Sequence, residues 1–323
     1  MKVLIVGAGV IGTIYGWALT NAGHSVVHLV RPGRRSKLEN GISMDVMDRR
    51  KGYKKWFVGT YAIRTVDALN ATDAYEIVIV PVRHYALEEV LKQIAPLTPN
   101  ADYVLLTQNW NGVAGISQHL PSSRFVFGDA KAGGSFQGDK LISTLYQIEL
   151  GGVDAGAADC LRKAAQLFRS ANINTNVEEN ILRYLWVEYA LNTGSLAAIA
   201  RAGSAIALAG NRLLWNASMV AVKECLAVVA ARGVELKDYP LAKLMLTESR
   251  LQQVLVRLAF RLIFQLSEYV RRNTEHALAD PRELHTFYYD LITTGRELGV
   301  AMPVMLEFKN DVDNFAKVLS AKN

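Results

Sequence analysis

Apolar and polar positions follow two different patterns along the chain. In the first half, short apolar runs rich in β-branched residues alternate with stretches that have a helical period, the first beginning near Ile11. This alternation is typical of βαβ units, in which successive strands lie parallel in one sheet. Strands are predicted over residues 3–6, 25–30, 77–80, 103–106 and 174–177.

One segment of the first half has no helical period. Residues 42–64 alternate around a basic turn at residues 48–52, which reads Asp-Arg-Arg-Lys-Gly. Such a pattern predicts an antiparallel hairpin that leaves the run of parallel strands. We interpret the charges of the turn as a solvated surface, with an anion site as the alternative.

The second half has a helical pattern throughout. From about residue 180 the chain consists of long amphipathic repeats rich in Leu and Ala, and strand signals disappear. We therefore predict an α/β domain over residues 1–178 and an all-α domain over residues 179–323. Breaks between the helices are expected near Gly210, Gly233, Pro240 and Pro281.

One predicted helix of this domain is unusually apolar. Residues 251–270 are apolar on more than one face, although they include Arg257, Arg261 and Glu268. Such a helix is buried either in the core of its domain or against a second subunit. The second alternative predicts a homodimer formed through the helical domain.

The composition is that of a globular protein of two domains. The chain has 323 residues, of which 50% are hydrophobic and 20% charged, which excludes a peptide hormone or a small disulfide scaffold. Cys160 and Cys225 lie far apart and no Cys/His cluster accompanies them. We therefore expect neither a disulfide framework nor a metal site, and this cysteine usage favours the cytoplasm.

Charge and hydropathy narrow the choice of partners. Residues 3–23 imitate an export signal, but several glycines and the polar pair Thr20 and Asn21 interrupt them and no cleavage site follows, so we expect no membrane association. The formal net charge of +6 favours a small anionic partner, such as a phosphate-bearing molecule. Because the basic residues form no long stripe with interleaved aromatics, we do not expect nucleic-acid binding.

A glycine-rich motif lies between the first predicted strand and the first predicted helix. It consists of Gly7, Ala8, Gly9, Val10, Ile11 and Gly12. In this context a GxGxxG motif predicts dinucleotide binding. Its first glycine permits a tight turn, the second lets the backbone approach a pyrophosphate at the helix N-terminus, and the third allows close helix–strand packing.

The end of the second predicted strand indicates which dinucleotide binds. An NAD-binding domain usually has Asp or Glu there, which binds the ribose 2′-hydroxyl. This chain has Arg31, Arg34 and Arg35 instead, and no carboxylate before Glu39. Arginines bind a 2′-phosphate through charge-assisted hydrogen bonds, so we predict NADP(H), with a solvated basic loop as the alternative.

Two further strand ends carry candidate ligand-binding residues. Arg83 follows residues 77–80, and an amide-rich loop that contains Asn109 and Asn111 follows residues 103–106. Ligands of open α/β sheets bind outside the carboxyl ends of the strands, so we expect both segments to face one crevice. An ordinary Asn-Gly turn also explains part of the amide loop.

These motifs resemble those of the ketopantoate reductase (2-dehydropantoate 2-reductase) family, NADPH enzymes with a Rossmann domain followed by a helical domain. The sequence of residues 7–12 matches, Arg83 lies where the family usually has a lysine, and Asn111-Gly112 matches the family's Asn-Gly. The family loop is shorter, so the choice between Asn109 and Asn111 stays open. We prefer Asn111 because the glycine follows it.

The resemblance also implies catalytic residues in the helical domain. The family has a Trp-x-Lys-x-x-x-Asn pattern whose lysine is the general acid. Here Trp186 and Asn192 match the pattern, and Glu188 replaces the lysine. Glu283 lies 20 residues before Pro303, as a family glutamate does. Glu188, Asn192 and Glu283 are therefore the catalytic candidates, although Glu283 is also explained by a helix capping box that begins at Asp280.

The residues of this segment can also be interpreted without the family. In a helix, Glu188, Asn192 and Ser195 share one polar stripe that faces either water or a cleft. An ionised Glu188 cannot donate a proton to a ketone, so one of three alternatives must hold. Glu188 is neutral because its pKa is raised, the substrate differs, or another acid donates, the candidates being Tyr184, Tyr189, Tyr288 and Arg201.

Together these observations predict an NADP(H)-dependent oxidoreductase. It would transfer hydride between NADPH and a small 2-keto acid, 2-hydroxy acid or related substrate. Because the family lysine is absent, the alternative is a non-catalytic NADPH-binding protein that acts as a redox sensor.

Overall fold

The computed structural model of the protein describes residues 1–270, 272 and 281–320. The chain divides into two compact units, Met1–Leu182 and Arg183–Asn323. This division lies a few residues after residue 178, where the change in sequence pattern places the boundary.

The first unit contains a ten-stranded sheet. Most neighbouring strands are parallel, so the sheet is mixed but of Rossmann type. The strands are β1 (Lys2–Val6), β2 (Ser25–Leu29), β3 (Ile42–Asp48), β4 (Lys55–Tyr61), β5 (Thr65–Val66), β6 (Ile77–Val80), β7 (Asp102–Leu106), β8 (Phe125–Gln137), β9 (Lys140–Gly151) and β10 (Asn174–Val177).

The strand order places the ends of the central strands side by side. The order is β4-β3-β9-β8-β7-β6-β1-β2-β5, with β10 paired to β9. Within it, the run β5-β2-β1-β6-β7-β8 is parallel and has the 3-2-1-4-5-6 order of dinucleotide-binding sheets. All four residues of β6 are buried, as expected for a central parallel strand. The helices of this unit are α1 (Val10–Asn21), α2 (His84–Ile94), α3 (Ala114–Ser117) and α4 (Ala158–Ser170).

The hairpin predicted over residues 42–64 is confirmed, because β3 and β4 pair antiparallel from Ile42↔Tyr61 to Asp48↔Lys55. Its basic turn differs from the prediction of a solvated surface. The Arg50 guanidinium is largely buried, pairs with Asp48 at 2.8 Å and donates to the carbonyl of Ala171 at 2.6 Å. This charge is therefore used within the fold.

A second, longer hairpin was not predicted. Strands β8 and β9 pair antiparallel, with an irregularity between Lys131 and Ala132, and β9 also pairs parallel with β3 and β10. Glycines and charged residues interrupt the apolar alternation of β8, which removed the usual strand signal. The hairpin links the β3–β4 excursion to the parallel strands.

Every element that the structure describes after residue 180 is helical, as predicted. These helices begin and end near the expected Gly and Pro breaks. They are α5 (Ile181–Ala202), α6 (Ala205–Gly210), α7 (Arg212–Ala231), α8 (Pro240–Met245), α9 (Arg250–Leu266), α10 (Pro281–Glu297), α11 (Pro303–Glu307) and α12 (Lys309–Ser320).

Helix α7 has the length and the apolar composition of a membrane span. About half of its residues are buried inside the protein, among them Trp215 and Cys225. Helix α7 is therefore also explained as a core helix of the second unit.

Helix α9 is only partly buried in the core of the second unit, although its apolar composition allowed burial on all sides. Its inner side buries Val256 and packs Phe260 against Trp215, with 5.5 Å between the ring centroids. Its other side exposes a row of apolar side chains, so burial of every face in the domain core is wrong. This row comprises Leu251, Val254, Leu255, Leu258, Leu262 and Leu266, which are 45% to 77% exposed.

Candidate functional site

The glycine motif forms the turn between β1 and α1. Gly7 has a φ of +90°, in the left-handed region where residues with a Cβ are strained. Its N–H donates to the carbonyl of Leu29 in β2 at 2.7 Å. The turn is therefore fastened to the neighbouring strand, as the first glycine of the motif requires.

The N-terminus of α1 is open to a ligand. No side chain caps it, and its first turn contains no acidic residue. The first helical hydrogen bond runs from Thr13 N–H to Gly9 C=O, so the amides of residues 10–12 precede it. A Cβ built on Gly9 meets no atom within 4 Å. The turn thus has the space and the N–H donors that a pyrophosphate requires.

The four remaining residues of the motif complete this turn. Ala8 is buried, whereas Val10 and Ile11 are half-buried at the start of the helix. A Cβ on Gly12 would lie 3.1 Å from Ile5 Cγ2 and 3.2 Å from the carbonyl oxygen of Gly7. Gly12 therefore allows the close approach of helix to strand, as the motif predicts.

A buried histidine is hydrogen bonded to the glycine turn. His28 of β2 lies with Nδ1 2.9 Å from the carbonyl oxygen of Gly7 and Nε2 3.1 Å from the hydroxyl of Tyr61. Because the carbonyl can only accept, Nδ1 carries the proton and Nε2 accepts from Tyr61. The Tyr61 oxygen in turn lies 3.3 Å from Thr20 Oγ1. Burial lowers the pKa of His28 to about 4, so its ring is neutral near pH 7.

The arginines that follow β2 are all exposed. Arg34 N–H donates to the carbonyl of Arg31 at 3.0 Å, and Gly33 between them has a φ of +78°. In the described part of the chain, no carboxylate forms an ion pair with Arg31, Arg34 or Arg35. The end of β2 next to the glycine turn is therefore a concentrated positive charge.

The structure separates the roles of the two asparagines after β7. Asn109 is buried, its Nδ2 donates to the carbonyl of Gly112 at 2.6 Å, and its Oδ1 accepts from the N–H of Asn111 at 3.1 Å. Asn109 thus holds the loop, while the side chain of Asn111 is exposed. This arrangement favours Asn111 as the ligand-binding amide. Arg83 is half-buried at the start of α2, after the adjacent strand β6.

The catalytic candidates of the second unit lie on two helices. On α5, Glu188 is half-buried between the buried Val187 and Tyr189, and Asn192 is exposed. Glu283 is half-buried in the first turn of α10. Asp280, which would complete the predicted capping box, lies outside the described residues.

A contact between these helices brings Glu283 close to α5. The ring centroids of Tyr189 and Phe287 are 4.1 Å apart, and the Tyr189 hydroxyl donates to Asp290 Oδ2 at 2.6 Å. Burial and the charges of Asp290 and Glu283 raise the pKa of Tyr189. The structure therefore places Glu283 within electrostatic reach of the residue that follows Glu188.

Three of the four side chains proposed as substitute acids form hydrogen bonds or an ion pair with other residues of the second unit. Tyr189 donates to Asp290, and the Tyr288 hydroxyl donates to the carbonyl of Met305 at 2.9 Å. Arg201 pairs with Asp311 at 2.8 Å. The fourth, Tyr184, is half-buried on α5.

The chain matches known proteins in both sequence and fold. Residues 3–144 match the family described as ketopantoate reductase PanE/ApbA. The chain is 26% identical over 255 residues to the 2-dehydropantoate 2-reductase of Pyrococcus abyssi, covering 75% of this chain and 78% of that protein. It is 29% identical over 197 residues to the protein of the same name from Aquifex aeolicus, covering 57% and 58%.

A solved structure shares the fold over the whole chain. D-mandelate dehydrogenase with NADH and anilino(oxo)acetate has a TM-score of 0.75 and 16% identity, covering 99% of this chain and 100% of that one. The family match over residues 3–144 and the two sequence relatives support membership of this chain in the ketopantoate reductase family.

The low pKa of His28 predicts a pH-dependent loss of stability. The unfolded chain takes up a proton at His28 below about pH 6.5, whereas the folded protein does so only near pH 4, so the free energy of unfolding falls as the pH drops through this window. The full effect is about 3 kcal/mol. Urea unfolding of wild type and His28→Gln between pH 7 and pH 4 measures it.

The variant should lose less stability than the wild type over this range, because Gln does not titrate. His119→Gln, outside the hydrogen-bonded cluster, serves as the control and should follow the wild type. Parallel pH curves for wild type and His28→Gln would contradict the assigned burial of a neutral ring.

Proposed function

We propose that this member of the ketopantoate reductase family is an NADP(H)-dependent oxidoreductase that acts on a small 2-keto or 2-hydroxy acid. The proposal depends most on one observation, the open glycine turn beside three exposed arginines. The turn offers backbone N–H donors to a pyrophosphate, and the arginines offer charge to a further phosphate.

The arginines favour NADP(H) over NAD(H). The bare ribose of NAD(H) needs a carboxylate at the end of β2, and this position holds Arg31. A 2′-phosphate placed there would meet guanidinium groups without a competing ion pair from the described residues. D-mandelate dehydrogenase was solved with NADH, but that likeness is one of fold.

The substrate class follows from the chemistry shared by the relatives' names. 2-Dehydropantoate is a 2-keto acid and D-mandelate is a 2-hydroxy acid. In both compounds the reacting carbon lies next to a carboxylate, and that carbon changes between C=O and CH–OH. A bound nicotinamide cofactor supplies or accepts the hydride in such a reaction. The protein must hold the carbonyl, bind the carboxylate and place a proton donor at the oxygen.

The candidate residues divide these tasks. The exposed amide of Asn111 suits a hydrogen bond to the carboxamide of the cofactor or to the substrate, and Arg83 adds a positive charge at the next strand end. Asn192 and Glu283 of the helical unit are the candidates for hydrogen bonding to the substrate. Glu188 occupies the place of the family's proton donor, where it acts only as a neutral acid or as a base for alcohol oxidation.

Turnover separates this proposal from a redox sensor, the alternative that the missing family lysine favours. We expect NADPH absorbance to fall when the protein is mixed with at least one member of a panel of 2-dehydropantoate, phenylglyoxylate, pyruvate and amino-group-bearing analogues. Oxidation of the matching 2-hydroxy acids with NADP⁺ provides the reverse assay. Tight NADPH binding without turnover in either direction would favour the sensor and contradict the proposed activity.

The arginine cluster makes a prediction about cofactor choice. Replacing Arg31, Arg34 and Arg35 by Ser should raise the Kd for NADPH by about 10- to 100-fold, since hydrogen bonds to charged groups contribute about 1.5–3 kcal/mol. The Kd for NADH should change little. Fluorescence titration measures both constants, with Arg162→Ser, an exposed arginine on α4, as the control. Equal losses for NADPH and NADH would show that the cluster does not read the 2′-phosphate.

The exposed row of α9 makes a prediction about assembly. We propose that it packs against the same row of a second copy, because a two-fold axis places one apolar stripe on itself. Light scattering after size exclusion should give a dimer for the wild type and a monomer for Leu255→Glu/Leu262→Glu. Leu213→Glu, at an equally exposed leucine outside the row, should remain dimeric. A monomeric wild type would contradict the proposal.

A further inference from the structure

The proposed reduction leaves one chemical role unfilled on the helical unit. A positive charge or a proton must meet the carbonyl oxygen as hydride reaches the carbon. Glu188 stands where the family has its lysine, and Tyr189, Tyr288 and Arg201 are engaged elsewhere. The remaining candidate, Tyr184, has a neutral hydroxyl and supplies no positive charge. A cation at the edge of the sheet where ligands bind would fill this role.

One lysine lies at that edge. Strand β8 pairs with β7 as far as Gly128, which is opposite Leu106. Lys131 lies three residues further along β8, beyond the end of β7. Its Nζ lies 2.6 Å from Oδ2 of Asp129, two residues earlier on the same strand. The Lys131 side chain is 27% exposed, so it is anchored at one end and accessible to a small molecule.

Asp129 connects this lysine to the amide loop. Gln108, which follows β7 and precedes Asn109, donates from Nε2 to Asp129 Oδ1 at 3.2 Å. The buried atoms Thr107 Oγ1 and Gln108 Oε1 have no hydrogen-bond partner among the described residues. Buried polar atoms are rarely left unpaired, so this strand end is suited to a hydrogen-bonding ligand.

The strand order places Lys131 on the nicotinamide side of the proposed cofactor. In a sheet of this order the two halves of a dinucleotide lie on either side of the point where the order reverses. The arginines assign the adenosine half to β1 and β2, so the nicotinamide half belongs to β6 and β7. Strand β8 is the next strand, about 5 Å beyond β7.

Other carboxylates face the same lysine from neighbouring strands. Glu149 of β9 is opposite Asp129, and its Oε1 accepts from Gln147 at 2.6 Å and from Asn176 of β10 at 3.1 Å. Burial and Glu149 raise the pKa of Glu178, which follows β10, while the charge of Lys131 lowers it. Lys131 thus interacts with the charges of Asp129 and Glu178.

We propose that Lys131 is the proton donor to the substrate carbonyl, in the role that the family lysine holds on the helical unit. The assignment rests on the proposed function. A bound dihydronicotinamide would supply the hydride, with its own C–H bond breaking as a C–H bond forms at the carbonyl carbon and the π electrons of C=O move onto oxygen. A proton then passes from Nζ to that oxygen, the N–H bond breaks, and the neutral amine regains a proton from water.

The test compares two lysines of the same hairpin. Lys131→Met should lower kcat about 10²- to 10⁴-fold, the range of a general acid, with the most active 2-keto acid of the panel. Its Kd for NADPH, measured by fluorescence, should stay within about twofold of the wild type because the cradle is unchanged. Lys140→Met removes a lysine of β9 that pairs with Asp45 at 3.6 Å, and should keep the wild-type kcat.

Chemical rescue distinguishes a proton donor from a structural residue. Lys131→Cys should be as slow as Lys131→Met, and treatment with 2-bromoethylamine should restore activity by rebuilding an amine of nearly the same length. The native Cys160 and Cys225 are 1% and 0% exposed, so the new thiol is the one that reacts.

Each outcome has one meaning. Undiminished kcat in Lys131→Met, while the wild type turns over, overturns the assignment and leaves the proposed function intact. Low activity in Lys131→Cys that amination does not restore, with NADPH still bound, also overturns it. No turnover by the wild type with any member of the panel overturns the proposed function and this assignment together.

Discussion

Gly7 is hydrogen bonded through its N–H and its C=O to strand β2. The N–H binds the carbonyl of Leu29, and the C=O accepts from the neutral ring of His28. With both groups of Gly7 satisfied by the sheet, no side chain caps the N–H groups of the following helix turn. The proposed phosphate site depends on this constraint, because a turn that rearranged would cap the helix with its own backbone.

The charges along the carboxyl edge of the sheet follow the same order as the groups of the proposed ligand. Exposed arginines follow β2, the uncapped helix follows β1, and an exposed amide follows β7. Beyond them the cluster of Asp129 and Lys131 begins at β8. With Arg83 after β6, this edge has exposed arginines at one end and an ion-paired lysine at the other, which suits a molecule with phosphates at one end and a reactive carbon at the other.

Local patterns were sufficient to predict much of this arrangement. The bounds of β6 and β10 agree with the strands predicted over residues 77–80 and 174–177, and the glycine turn has the conformation that its motif requires, because both depend on neighbouring residues. The β8–β9 hairpin was missed because its glycines and charges conceal the alternation.

His28, Tyr61 and Thr20 meet only after the sheet folds, so no spacing in the sequence reveals their cluster. The same holds for Gln108, Asp129 and Lys131, which come together across two strands. The sequence showed that α9 is apolar on more than one face. Which of its faces stays exposed depends on the packing of Phe260 against Trp215, which the sequence does not reveal.

The central claim is that the turn between β1 and α1 binds the phosphates of NADP(H). Hydrogen–deuterium exchange with and without NADPH tests it at the level of individual peptides. The account predicts slower exchange on binding in the peptides that contain residues 7–13 and residues 31–35. Saturating NADPH that leaves the exchange of both segments unchanged, or that protects only other parts of the chain, would contradict it.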